Sequence, residues 1–146
     1  MNAIKFYRIG NWFYRKKVPF IPKMVNVLIF LIFNSYIPSS ASIGEGTKFA
    51  YGAIGVVLHN RSVIGKNCLI GSNVTIGGKS REEAVPVIND DVYISTGAKI
   101  LGNVEIGSGS IIGASSVVLK DVPKKSVVVG IPGKIIRRNI NFNEYV

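Results

Sequence analysis

The sequence has 146 residues and is poor in the side chains that build metal and disulfide sites: one cysteine, Cys68, and one histidine, His59. A single cysteine excludes an internal disulfide and a cysteine-rich zinc site, and a single histidine excludes a three-histidine zinc centre. No metal is expected. With no cleavable leader in view, a reducing cytoplasm is the expected compartment. Acidic residues are scarce as well, 8 against 18 lysines and arginines, for a formal net charge of +10. That excess favours anionic partners, but no nucleic-acid motif accompanies it and no nucleic acid is expected as partner. Lys5, Arg8, Arg15, Lys16, Lys17 and Lys23 all fall within residues 1–38, which hold no acidic residue.

A long apolar run is also missing. Residues 25–33 (VNVLIFLIF) are about half of the ~20 residues a spanning helix needs. Three readings stay open at this point. The segment is a helix packed on the rest of the protein, a helix lying on an anionic membrane through residues 1–36, or a true span.

Glycine and isoleucine, by contrast, are abundant and ordered. Glycine follows isoleucine at Ile43-Gly44, Ile64-Gly65, Ile70-Gly71, Ile76-Gly77, Ile106-Gly107 and Ile112-Gly113. Aliphatic residues recur every six positions at Ile88, Ile94, Ile100, Ile106, Ile112 and Val118, and upstream at Leu58, Ile64, Ile70 and Ile76. Small or β-branched residues stand two positions earlier, as at Ser62, Val74, Val92, Ala98, Ser110 and Ser116. A helix needs apolar residues at three-to-four spacing and tolerates few glycines. A plain amphipathic strand alternates without a corner every six residues. A three-sided coil with six residues per side accounts for both features, with one aliphatic per side pointing inward and stacking on the next coil. About five coils fit between Ser39 and Val129 at eighteen residues each.

The repeat is interrupted twice. The phase shifts at residues 50–55 (AYGAIG), and residues 77–86 (GGKSREEAVP) read as an exposed loop that returns at Val87. Insertions in a solenoid map to loops, often on the binding face. The expected organisation is a helical, basic cap over residues 1–38, a β-helix over 39–129 with its loop at 78–87, and a closing segment over 130–146. Helices are expected over residues 4–17 and 23–35.

These residues resemble the hexapeptide-repeat acyltransferases, in the branch that holds serine acetyltransferases and polysaccharide O-acetyltransferases. The likeness runs from Ile37 to Arg138. It rests on residues 70–78 (IGSNVTIGG), 97–102 (GAKILG), 112–118 (IGASSVV) and on 120–123 (KDVP) with 130–134 (GIPGK). It implies an all-β, left-handed parallel β-helix, acetyl-CoA as co-substrate, and a homotrimer with acetyl-CoA in the groove between neighbouring solenoids.

Acetyl transfer to a hydroxyl needs a base, oxyanion donors and a grip on coenzyme A. His59, the only histidine, is the candidate base, since a neutral imidazole can accept a hydroxyl proton. Gly77, Gly78, Thr96 and Gly97 are candidates for backbone N–H donors close to the ligand. Resemblance to the galactoside-acetyltransferase pattern places acetyl-CoA contacts at Thr96, Ala114, Lys120 and Arg137. Asn60 and Asn73 are candidates to orient His59 or the acceptor, and Arg81, Glu82 and Glu83 to touch the acceptor. The resemblance departs in one respect. Serine acetyltransferases carry an Asp-His pair near the positions of Tyr51 and Gly52, and a second histidine after Gly78; both are absent here. A sugar hydroxyl, in surface polysaccharide synthesis, is therefore the expected acceptor. Serine O-acetylation, amino-sugar N-acetylation and a non-catalytic scaffold are the alternatives.

Overall fold

The computed structural model describes residues 1–146, and each turn of its coil gives one short strand to each of three parallel sheets. The first face stacks Ser42–Ile43, Val63–Ile64, Val87–Ile88 and Glu105–Ile106. The second stacks Lys48–Phe49, Leu69–Ile70, Tyr93–Ile94, Ile111–Ile112 and Ser126–Val129. The third stacks Val57–Leu58, Thr75–Gly77, Lys99–Leu101 and Val117–Val118. Registers pair Ile88 with Ile106, Ile94 with Ile112 and Ile100 with Val118, so aliphatics three repeats apart lie on one rung. This is a left-handed parallel β-helix with a short helical N-terminal segment. Four coils are complete, and a fifth is only begun by the Val122 bridge and Ser126–Val129. The count falls short of five because the two interruptions lengthen the first two coils, from Ser42 to Val63 and from Val63 to Val87, beyond eighteen residues; Lys134–Arg138 then turns back antiparallel along Ser126–Val129 and closes the sheet.

The six-residue aliphatics point inward. Leu58, Ile64, Ile70, Ile76, Ile88, Ile94, Ile100, Ile106 and Ile112 are all fully buried, each worth about 1.5–3 kcal/mol relative to exposure. Residues two positions earlier are buried too, where the corner draws the backbone in. Two of the serines there use their hydroxyls: Ser110 Oγ accepts the Ser126 N–H at 3.2 Å, and Ser116 Oγ accepts that of Gly130 at 3.0 Å, whereas Ser62 Oγ is buried without a partner.

The phase shift is a 3-10 turn, Ala50–Ala53, in which Tyr51, Gly52 and Ala53 take φ of 50°, 75° and 80°. The second interruption leaves the coil after Gly77 and rejoins it at Val87. An ion pair from Lys79 to Glu82 (3.2 Å) and a bond from the Asn103 N–H to Glu82 Oε2 (3.4 Å) lay that loop against the next coil.

Two helices cover the open first coil, α1 (Ala3–Arg15) and α2 (Phe20–Phe33). Helix α2 starts three residues earlier than expected because Pro22 falls in its first turn, where a missing N–H costs no helical hydrogen bond. Tyr7 Oη donates to the Ala41 carbonyl at 2.5 Å, and Asn11 Nδ2 to that of Ser39 at 2.8 Å. These bonds satisfy coil carbonyls that no preceding coil covers.

Candidate active site

The three corners of the coil stack into three edges. One edge, between the third and first faces, carries His59 and Asn60 in the first coil, Gly77, Gly78 and the 79–86 loop in the second, and Lys120 in the fourth. Another, between the second and third faces, carries Gly52, Asn73, Thr96 with Gly97, and Ala114 in successive coils. We call them the histidine edge and the threonine edge. Asn73 and Gly77 stand four residues apart on one strand side, which separates the edges by about 13 Å.

His59 is half-buried and held by backbone. Its N–H donates to the Ile76 carbonyl in the next coil at 2.8 Å, and its carbonyl accepts the Ser62 N–H at 3.0 Å. Its imidazole lies against Gly78, where an added Cβ would stand 3.7 Å from Cδ2 and 3.8 Å from Nε2. The Arg61 N–H donates to Nδ1 at 3.1 Å. An Nδ1 that accepts a bond holds no proton, so the neutral ring carries its proton on Nε2. A groove of about 360 Å³ opens beside the ring, lined by Tyr36, Val57, His59, Asn60 and Gly77 among others.

Tyr36 escapes the repeat-based reading. It pairs with Val57 as an isolated rung and exchanges backbone bonds with Val56 and Leu58, which sets its half-exposed side chain at the mouth of this groove. It stands in the outward position beside buried Ile37, six residues before Ile43, and the spacing by itself marks no outward position as functional.

The other expected site residues divide. Asn60 sits beside His59, but its carbonyl is taken by the Ser40 hydroxyl at 2.9 Å. Asn73 does not orient His59. It occupies the threonine edge with φ 54°, a corner residue whose side chain fills the space a Cβ on Gly55 would take. Thr96 and Ala114 are exposed there, with Thr96 Oγ1 3.4 Å from Ser72 Oγ. Gly97, at φ 77°, takes the left-handed turn that favours glycine. Gly77 and Gly78 have ordinary φ, so what they contribute is small size rather than turn geometry. Arg81, Glu82 and Glu83 are exposed on the loop, with Glu82 engaged by Lys79. Lys120 is exposed without an acidic partner, three coils from His59, or about 14 Å along the axis. Arg137 lies on the closing strand with Nη1 bonded to Tyr145 Oη at 2.9 Å. No single chain brings the two edges together.

Cys68 takes no part. Burial pushes its thiol above the ordinary range, and Sγ is turned to the Asn89 carbonyl.

Known proteins share this fold. Residues 86–120 match the family described as bacterial transferase hexapeptide (six repeats). The serine acetyltransferase of Synechococcus elongatus is 38% identical over 140 residues, which is 94% of this chain and 57% of that protein. The serine acetyltransferase of Bacillus subtilis is 39% identical over 95% of this chain and 64% of its own length. The crystal structure of serine acetyltransferase from Brucella abortus in complex with coenzyme A superposes with a TM-score of 0.88 at 35% identity, over 93% of this chain and 55% of that one. The chain thus spans between half and two thirds of the length of these relatives. With its sixfold repeat, its coil register and these likenesses taken together, the chain is similar to the hexapeptide-repeat transferases, and residues 86–120 carry that family's repeat.

Proposed function

We propose that this chain transfers the acetyl group of acetyl-CoA to a hydroxyl, with His59 as the group that handles the hydroxyl proton. The observation that carries this reading is the imidazole held against Gly78 at a coil corner, in a chain with no other histidine. The hydroxyl oxygen attacks the thioester carbonyl as its proton passes to Nε2. The tetrahedral oxyanion then expels the coenzyme A thiolate, which recovers the proton from the imidazolium. For Nε2 to accept a proton the ring must carry its own on Nδ1, which breaks the Arg61 bond. That costs about 0.5–1.5 kcal/mol. General-base assistance is worth about 10²–10⁴ in rate, or roughly 3–5 kcal/mol, so the tautomer change does not forbid the role.

Acetyl-CoA fits the residues present. Lys120 and Arg137 offer cations for its phosphates, and Lys120 stands far enough along the edge to meet that end of the molecule while the thioester lies near His59. Thr96, Gly97 and Ala114 lie on the other edge, about 13 Å away, so they serve the same ligand only from a neighbouring copy. Exposed Val57, Val63 and Leu119 around the histidine edge support burial of that edge in an assembly, and we propose a homotrimer with three shared grooves. Mixing inactive His59→Ala and Ala114→Arg chains should restore activity if each groove takes one edge from each of two copies. No restoration would place the whole site within one chain.

The named relatives favour L-serine as acceptor over the sugar hydroxyl expected from sequence. One observation favours the sugar: the chain has tyrosine and glycine at 51 and 52 and no histidine on the loop. Moreover, positions 51 and 52 sit on the threonine edge, away from His59. Release of coenzyme A from acetyl-CoA, followed with L-serine and with a panel of sugars and sugar nucleotides beside His59→Ala, decides between them. Turnover with no hydroxyl acceptor, or turnover undiminished in His59→Ala, would overturn the proposal; the second result would point to an amine acceptor.

A further inference from the structure

Helix α2 is apolar on both sides. Pro22, Val25, Ile29 and Phe33 are buried against the protein. On the opposite side Phe20, Met24, Val27 and Leu31 form a stripe at steps of four, three and four residues, with exposures of 78%, 58%, 56% and 71%. A helix apolar all round needs an apolar environment on every side. This one is 14 residues long, about 21 Å against a hydrocarbon core of ~30 Å, and no helix of the chain is long and apolar enough to cross a membrane.

Charge says what covers the stripe. Arg15, Lys16, Lys17 and Lys23 cluster where α1 hands over to α2, and none has an acidic partner. Three of them line a groove of about 590 Å³ that runs along the flank of α2 formed by Pro22, Lys23 and Asn26. The first acidic residue of the chain is Glu45. Two copies meeting through this face with their α2 helices parallel would bring the two cationic clusters together, where like charges are destabilising, and with the helices antiparallel neither α1 nor α2 offers a carboxylate to the other copy's cluster. An anionic lipid surface satisfies both features, with acyl chains against the stripe and phosphates against the flanking cations. We infer that the outer face of α2 seats this protein on an anionic membrane, lying in the interface rather than crossing it. The inference does not depend on the acetyl-transfer reading.

The test is flotation of the whole chain with phosphatidylcholine vesicles, with or without phosphatidylglycerol. The chain should float with the anionic vesicles and stay behind with the neutral ones. A Met24→Ser/Leu31→Ser variant should lose about tenfold or more in partitioning, and Arg15→Gln/Lys16→Gln/Lys17→Gln a similar factor. All five positions are solvent-facing, and circular dichroism verifies that both variants keep the fold. Failure of the unaltered chain to float with anionic vesicles overturns the inference. So does flotation that Met24→Ser/Leu31→Ser leaves intact. Sedimentation in the absence of lipid supplies the remaining arm: an assembly that this variant dissolves would assign the stripe to a second copy and overturn the membrane reading.

Discussion

His59 and Gly78 meet across one step of the coil, with the imidazole edge 3.7–3.8 Å from where a Cβ on Gly78 would stand. Gly78 has no backbone reason to be glycine, since its φ is ordinary. An alanine methyl would sit at normal contact distance and only narrow the groove, whereas a valine would fill the space the acceptor needs beside Nε2. Gly78→Ala is expected to keep most activity and Gly78→Val to lose about 10²-fold in kcat/KM, through displaced reacting atoms rather than lost stability. Steady-state kinetics with thermal melts tests this. A Gly78→Val enzyme of normal activity would remove the acceptor from this side of the ring.

The Arg61 bond fixes a second expectation. Because Nδ1 accepts that N–H at 3.1 Å, the free protein should hold neutral His59 with its proton on Nε2. With one histidine in the chain, nitrogen NMR of the imidazole reads a single ring without assignment ambiguity. Exchange to the Nδ1-protonated form on adding acceptor and a coenzyme A analogue is the signature of a base about to act. A proton found on Nδ1 in the free protein would mean that the ring is already in the base-competent form and that the Arg61 contact is not made.

How far the molecule could be read from its sequence follows from where periodicity reaches. Ile94, Ile100 and Ile106 announce their burial because each faces the same interior every sixth residue, and one rung constrains the next. Ile37, Ile43 and Phe49 keep the same spacing three residues out of phase with the later run, so the rung of Tyr36 beside Val57 is legible only once the shift at residues 50–55 is placed. Asn73 and Gly77 are close in sequence yet lie on different edges, because a strand side of the coil runs between them. Treating both as neighbours of His59 confuses chain distance with distance around a triangle. The donor to Nδ1 was hidden for another reason: it is a backbone N–H, and any residue at position 61 other than proline supplies it.

The buried thiol carries a pH expectation. Desolvation raises the pKa of Cys68, and it raises that of the Tyr7 phenol as well. A group whose folded pKa lies above its unfolded value stabilises the fold fully below the unfolded value, and that contribution is lost as pH rises through the folded one. Stability to urea should therefore decline on the alkaline side, from about pH 8.5 upward, and less steeply in a Cys68→Ala/Tyr7→Phe chain. At a fixed pH near 8.5, iodoacetamide should label native Cys68 slower than the unfolded chain by on the order of 10² or more, since the thiol is both neutral and buried. Rapid native labelling would show that the second face opens at that corner.

Glycines at the corners separate two kinds of requirement, and a matched pair of alanine substitutions distinguishes them. At Gly107 an added Cβ would lie 2.3 Å from the Lys124 nitrogen, with Lys124 Cα and the Pro123 carbonyl carbon both at 2.7 Å. Those are backbone atoms of the next coil, held by the Gly107 N–H bond to the Val122 carbonyl at 2.8 Å, so they cannot yield without spreading the coils. At Gly77 the nearest atom is the tip of Leu101 at 3.4 Å, a side chain that can rotate away. Gly107→Ala is thus expected to cost about 1–3 kcal/mol through overpacking, and Gly77→Ala less than about 1 kcal/mol. The difference is in stability, whereas any loss in Gly77→Ala should fall on turnover, because that residue borders the groove beside His59. Denaturant midpoints and coenzyme A release measured on both variants separate the two effects. If both variants were equally stable, the fourth coil would have to pack on the closing turn more loosely than these distances allow.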